Sequence, residues 1–124
     1  MSVIAWNSAN NGWMDFGCRN LSQHSDKRSK DNIETITGAL EKVVRLRGVS
    51  FDWKADKRVK GAPRHLGLVA QQVRQIVPEA VADASEGTLS IAYSAITALL
   101  VEAIKEQQKH IDELRAALTP APAH

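Results

Sequence analysis

The clearest pattern of apolar and polar positions lies near the C-terminal end of the chain. Between Ser94 and Leu118, apolar residues recur at alternating steps of four and three, and the stretch contains neither glycine nor proline. This spacing predicts one long helix with a narrow heptad seam. The seam residues are Leu100, Ile104, Gln107, Ile111, Leu114 and Leu118. Because one chain cannot bury so narrow a stripe, we expect a homo-oligomeric coiled coil.

The seam residues alone leave the number of helices in the coiled coil open. Isoleucine at Ile104 and Ile111 with leucine at Leu100 and Leu114 favours a coiled coil of two helices. Gln107 is the polar member of the seam, and we interpret it either as a residue that specifies register or oligomeric state, or as a hydrated layer. Pro120 and Pro122 should end the helix and leave residues 119–124 as a flexible tail.

Another helical pattern precedes the middle of the chain and predicts a helix over residues 31–46. Asp31 can act as its N-cap, with Glu34 three residues on in the arrangement of a capping box. Gly48 lies where a left-handed C-terminal cap is expected. The apolar face of this helix comprises Ile33, Ile36, Leu40, Val43 and Val44.

Short extended segments and one short helix follow. Alternating apolar residues predict a half-buried strand over residues 49–53, and residues 66–69 predict a short buried one. A short helix from Ala70 should end at Pro78, and residues 89–93 form a third extended piece after a turn at Glu86–Gly87. The expected core residues of this region are Phe51, Trp53, Leu66, Leu68 and Val69. We expect an α+β fold, in which a small β-sheet packs on helices and the long helix projects.

Composition excludes several classes of protein. Cys18 is the single cysteine of the 124 residues, so there is no intrachain disulfide framework and no cysteine zinc site. The four histidines are scattered, and we expect neither a metal nor a cofactor. The longest apolar stretch, residues 98–101, is too short to span a membrane, and the N-terminus lacks the pattern of a secretory signal peptide.

The net charge of +2 is unevenly distributed. Residues 25–64 carry 11 basic and 6 acidic side chains, whereas residues 65–124 carry 4 and 7. This mild asymmetry could favour head-to-tail association, but it is too weak to indicate a nucleic-acid partner.

Residues 1–24 are rich in Asn, Ser and Gly and contain Trp6, Trp13 and Phe16, so we expect an extended stub whose aromatic side chains need a surface from elsewhere.

The run SDKRSKDNI at residues 25–33 resembles the SDxRxKxNI signature of the peptidase S74 family. That family is the intramolecular chaperone domain of endosialidases and other phage tail spikes and fibres. Four further blocks resemble the family in the same order, at residues 47–53, 65–73, 77–81 and 91–106. The resemblance covers residues 25–118 and is specific, because five blocks agree in order and spacing.

The resemblance implies a trimer at the C-terminal end of a fibrous protein. Its three chains would hold the preceding β-structured segment in register while that segment folds, and then release themselves by cleavage before the motif serine. Carried over to this sequence, the resemblance implies that the cleaved bond would be His24–Ser25. Residues 1–24 would be the end of the fibre segment or a leader, and residues 25–118 the chaperone domain, with residues 94–118 as its coiled-coil helix. Since Met1 leaves no fibre domain upstream, we expect an excised piece or a small stand-alone protein.

The resemblance assigns the catalytic roles of a self-cleaving serine peptidase to Ser25 and Lys30. A serine hydroxyl needs a base, and a lysine can supply one when it is held uncharged. Positive charge on Lys27 and Arg28 would favour an uncharged Lys30, while Asp26 would orient the loop or cap the turn. Lys27 is the rival base, because in extended chain it shares a face with Ser25. Backbone N–H groups of the first helical turn could stabilise an oxyanion.

Two readings of the motif therefore stay open. In the first, the chain is a self-cleaving trimeric assembly chaperone that acts in the host cytoplasm during virion assembly, and its chaperone part would be absent from the mature particle. In the second, it is a non-cleaving trimerisation module of the same fold, and SDKRSK is only a lead-in to the first helix. Ser29 stands where the family often carries an aliphatic residue, so looser packing is expected around Lys30.

Overall fold

The computed structural model describes residues 16–55, 58, 60–84 and 87–119, which divide between two compact units. The first unit contains residues 1–34 and 50–67, and the second contains residues 35–49 and 68–124. The helices and strands, in chain order, are α1 (Ala39–Arg45), β1 (Val49–Phe51), β2 (His65–Gly67), α2 (Ala70–Ile76), β3 (Val81–Asp83), β4 (Leu89–Ile91) and α3 (Tyr93–Leu118). Short 3₁₀ turns occur at Lys27–Ser29 and Pro78–Ala80.

The second unit contains the buried core. Helix α1 packs along α3, and α2 packs against the antiparallel pair of β3 and β4, in which Val81 lies opposite Ile91. The buried side chains are Ala39, Val73, Val77, Ala80, Ile96, Leu99 and Ala103. The predicted α+β class and the long C-terminal helix are confirmed, and the described strands form two two-stranded sheets, β1 with β2 and β3 with β4.

The first helix is much shorter than the sequence pattern predicts. It begins at Ala39 instead of Asp31, because Gly38 has a left-handed backbone with φ of 65° and Asn32 has one with φ of 54°. The β-branched residues between them are poor helix formers, and Ile33 is 63% exposed. The predicted capping box at Asp31 is therefore wrong. A left-handed cap at Gly48 is also wrong, since α1 ends at Arg45 and its C-cap residue, Leu46, has extended backbone.

The later elements follow the pattern closely. Helix α2 ends just before Pro78, and α3 begins one residue earlier than predicted. Strand β2 begins at His65, so Leu66 points away from the partly buried side of the strand and is 84% exposed. Trp53 is 49% exposed, so neither of these two expected core residues is buried in the single chain.

Aromatic rings on β1, just after it and on β2 form a small cluster in the first unit. Phe51 has its ring centroid 5.0 Å from that of Trp53 and 5.8 Å from that of His65. Arg64 donates to Ser50 and Asp52 beside it. The predictions for Trp6, Trp13, Glu86, Pro120 and Pro122 lie outside the described residues.

Candidate functional site

Ser25 and Lys30 lie side by side at the start of the first motif. The Lys30 Nζ donates a hydrogen bond to the Ser25 Oγ at 2.6 Å. The backbone between them forms the 3₁₀ turn Lys27–Ser29, closed by the Ser29 N–H on the Asp26 carbonyl at 3.0 Å and by the Lys30 N–H on the Lys27 carbonyl at 3.1 Å. This single turn brings together two side chains that are five residues apart.

Asp26 caps that turn and holds Arg28. Its Oδ1 accepts from the Arg28 N–H at 2.8 Å, and its two oxygens also accept from the Arg28 guanidinium, Nη2 to Oδ2 at 2.8 Å. These hydrogen bonds lower the pKa of the Asp26 carboxyl below its usual value, and they raise that of the Arg28 guanidinium. A short turn with little else to order it is thereby fixed by one side chain.

The same contacts change what was expected of the neighbouring cations. The positive charge of Arg28 faces the Asp26 carboxylate, so it is compensated instead of acting on Lys30 alone. Lys27 begins the turn, so the extended chain on which its candidacy as base depended is not formed. The N–H groups of Arg28, Ser29 and Lys30 all donate hydrogen bonds within the turn. They are therefore not free to stabilise an oxyanion.

The pair is open to water in the single chain. His24, Ser25 and Lys30 are all exposed, so the carbonyl that precedes Ser25 belongs to an exposed residue. Burial is one of the two ways to hold a lysine uncharged, and one copy of the chain does not bury Lys30. The chain then turns again at Asn32, whose backbone is left-handed. The helical spacing of the neighbouring residues gives no sign of this turn, although asparagine is among the residues that adopt the conformation most readily.

The predicted seam of α3 is uncovered in the single chain. Its apolar members are between 37% and 82% exposed, and Gln107 is exposed as well. The other apolar face of the same helix carries Ile96, Leu99 and Ala103, which are buried. Helix α3 therefore has two apolar faces, one covered within its own unit and one not. The uncovered seam is formed by Leu100, Ile104, Gln107, Ile111, Leu114 and Leu118.

Glu106 joins α3 to the start of α1. Its carboxylate oxygens accept from the Ala39 N–H at 3.1 Å and from the Leu40 N–H at 2.7 Å. The hydrogen bond from Leu40, foremost, lowers the pKa of the Glu106 carboxyl. This contact could not be predicted from the sequence, because the partners are more than 60 residues apart and no local motif indicates it.

Within residues 16–55, 58, 60–84 and 87–119, every helix falls short of the length and apolar character that a membrane span requires. No three His, Cys, Asp or Glu side chains in those ranges come close enough together to hold a metal ion.

Comparison with known proteins gives one family and a set of relatives. Residues 25–82 match the Peptidase_S74 family, described as chaperone of endosialidase, and the match starts at Ser25. Long tail fiber protein Gp37 of Enterobacteria phage M1 is 40% identical over 100 residues, which cover 76% of this chain and 39% of that protein. The protein of the same name from Enterobacteria phage K3 is 34% identical over 110 residues, covering 86% of this chain and 9% of that protein. The chain thus spans well under half the length of these relatives.

Proposed function

Because residues 25–82 belong to the peptidase S74 family, as the motif blocks indicated, we propose that this chain is the intramolecular chaperone of a phage tail fibre or tail spike protein. The family and the long tail fibre relatives support a role in tail fibre assembly. Three copies associate through α3 and hold an upstream β-structured segment in register while it folds. They then release that segment by cleaving between His24 and Ser25.

The hydrogen bond between Ser25 and Lys30 carries the proposal of self-cleavage. The two atoms are 2.6 Å apart, so an uncharged Lys30 amine can instead accept the hydroxyl proton as the Ser25 Oγ attacks the His24 carbonyl carbon. The attack forms a tetrahedral intermediate at that carbon. No other side chain needs to approach for this proton transfer, because the turn already holds base and nucleophile together.

Breaking the bond from the His24 carbonyl carbon to the Ser25 nitrogen completes the first half of the reaction. The nitrogen takes the proton back from Lys30 as it leaves, and His24 is left as an ester on the Ser25 Oγ. Water then hydrolyses the ester, so the products are a carboxylate at His24 and a free amine at Ser25. Because both partners of the pair come from one chain, each copy holds its own nucleophile and base.

Assembly supplies what the single chain lacks. Ser25 and Lys30 are exposed in one copy, and the seam residues of α3 are uncovered there as well. A homotrimer joined through that seam covers the apolar stripe that one copy leaves exposed. The reaction then belongs to virion assembly in the host cytoplasm, and the released chaperone part is absent from the mature particle.

Mass measurement of the purified products tests the self-cleavage. The wild type should lose residues 1–24, whereas Ser25→Ala and Lys30→Ala should each keep the full mass. Native mass measurement of the same samples should give a trimer for all three proteins. Three intact masses would rule out self-cleavage in this chain, and a monomer would rule out the assembly on which the whole proposal depends.

A non-cleaving trimerisation module is the second candidate, and one observation favours it. Asp26 caps the turn and pairs with Arg28 without any help from Ser25, so the motif also makes sense as a structural lead-in. This alternative expects an intact trimer that still promotes folding of an attached fibre segment. Soluble fibre obtained equally from wild type and Ser25→Ala, with neither cleaved, would favour it over the peptidase.

A further inference from the structure

Helix α1 begins without a capping side chain from its own segment. Gly38 occupies the N-cap position with φ of 65°, and glycine has no side chain to offer. The first N–H groups of a helix have no partner within the helix, and a Ser, Thr, Asp or Asn at the N-cap usually accepts from them. The first turn of α1 therefore depends on an acceptor from another element.

Glu106 supplies that acceptor from α3. Its two oxygens accept from two successive N–H groups, those of Ala39 and Leu40, and the side chain is partly buried there. Every residue that follows it on α3 is exposed, so Glu106 is the last point at which α3 is covered by its own chain. Two hydrogen bonds to one carboxylate fix the position of a helix end more tightly than apolar contact alone.

The chain that enters α1 comes directly from the 3₁₀ turn between Ser25 and Lys30. Residues 31–38 separate Lys30 from Ala39, and none of them lies in a helix or a strand. The N-terminus of α1 is thus the first helical anchor downstream of Ser25 and Lys30. Its holder, Glu106, directly precedes Gln107 of the seam.

We propose that Glu106 is a positioning residue for self-cleavage, which ties the downstream end of the segment carrying Ser25 and Lys30 to the helix through which the copies associate. This inference rests on the proposed function. Without the carboxylate, the first turn of α1 frays, and the segment before it loses its fixed end. Small losses of alignment between a nucleophile and its carbonyl are costly to the rate, so cleavage slows while the core and the seam stay intact.

The test compares variants on one helix in the full chain. Glu106→Ala removes the acceptor, Glu106→Gln keeps one amide oxygen, and Glu102→Gln is the matched control, because Glu102 lies one turn earlier and bonds only to Lys105 among the contacts seen. Native mass measurement follows assembly, and the time course of the loss of residues 1–24 follows cleavage. Hydrogen exchange at the amides of Ala39 and Leu40 reports on the anchor itself.

The expected order of rates separates positioning from general destabilisation. Assembled Glu106→Ala should cleave about tenfold more slowly than wild type or worse. Glu106→Gln should fall between the two, with Ala39 and Leu40 partly protected from exchange, and Glu102→Gln should match wild type. Assembled Glu106→Ala that cleaves at the wild-type rate would overturn the inference, although the proposed function would stand.

Other outcomes are equally decisive. If neither Glu106 variant assembles, Glu106 is needed for folding, and the positioning role is wrong. If Glu102→Gln slows cleavage as much as Glu106→Ala, the effect is not specific to the anchor, which also overturns the inference. A wild type that assembles and never cleaves would remove the proposed self-cleavage itself, and the inference with it.

Discussion

The Lys30 Nζ lies 2.6 Å from the Ser25 Oγ, and one capped turn of the backbone accounts for this closeness. The geometry needs no partner chain, since both residues and the cap at Asp26 lie within six consecutive positions. The pair is exposed in the single copy, so its activity should depend on assembly.

The two candidate lysine bases can be distinguished by substitution. Lys27→Ala should cleave at close to the wild-type rate, because the hydrogen bond to Ser25 comes from Lys30. Lys30→Ala should abolish cleavage, since the hydroxyl loses its only base in the proposed reaction. Timed mass measurement of the two variants checks this, and the reverse result would make Lys27 the base.

The cap at Asp26 should matter for the rate and for its response to acid. Asp26→Ala removes the acceptor of the Arg28 N–H and should slow cleavage about tenfold by loosening the turn. The pKa of Asp26 is lowered in the folded chain, so its stabilisation of the turn is present above the ordinary pKa of an aspartate and is lost as the pH falls through the lowered value.

The control for this prediction is Arg28→Ala, which should bring the pKa of Asp26 back towards its usual value. The turn should then loosen at a higher pH in this variant than in the wild type. Backbone chemical shifts of residues 26–30 followed from pH 7 downwards would show the difference. Identical titrations of the two proteins would contradict the link between Arg28 and the cap.

Two adjacent leucines of α3 should behave in opposite ways. Leu99 is 3% exposed in the core, so Leu99→Ala should lower the free energy of unfolding by about 2–5 kcal/mol. Leu100 is 40% exposed on the seam, so Leu100→Ala should weaken association more than it weakens the fold of the chain. Urea denaturation at several protein concentrations measures both effects, and only the Leu100→Ala loss should shrink under dilution.

A charge within the seam should break up the assembly. Ile104→Asp brings a carboxylate to a position that the coiled coil would bury, and it should raise the concentration needed for assembly about a hundredfold or more. Lys109→Asp is the matched control, because Lys109 is exposed on the same helix outside the seam. Sedimentation of both variants checks this. Equal effects would mean that the seam is not the contact between copies.

Gln107 separates two interpretations of the polar layer. If it specifies register or oligomeric state, Gln107→Leu should raise the melting temperature but give a mixture of oligomers in native mass spectra. If it is only a hydrated layer, the same variant should be more stable and keep a single oligomeric state. A lower melting temperature would contradict both.

The sequence predicted α3 to within one residue, because the apolar period is sustained over about five turns and the whole stretch lacks glycine and proline. The same reading of periodicity made the first helix too long, since Ile33 and Ile36 have helical spacing. Two residues with left-handed backbone, Asn32 and Gly38, prevent a helix there. Periodicity shows which positions are apolar, but it does not show which residues adopt a left-handed backbone conformation.

Burial and long-range contacts were beyond the sequence for a different reason. Trp53 and Leu66 alternate like core residues, but a pattern does not say whether their faces are covered by the same chain. The Ser25–Lys30 pair followed from the motif, whereas the contact of Glu106 with α1 joins elements far apart in sequence. Such a cap depends on how two helices pack, and a short stretch of sequence carries no information about that packing.

In the proposed coiled coil, the length of α3 would penalise copies that associate out of register. If one copy slides along its neighbours by seven residues, about 10 Å along the helix, only four of the six seam layers can still meet. A chain displaced by one heptad would therefore lose a third of its seam contacts. Misaligned chains would dissociate and reassociate, and only correctly aligned ones would stay assembled long enough for the proposed cleavage.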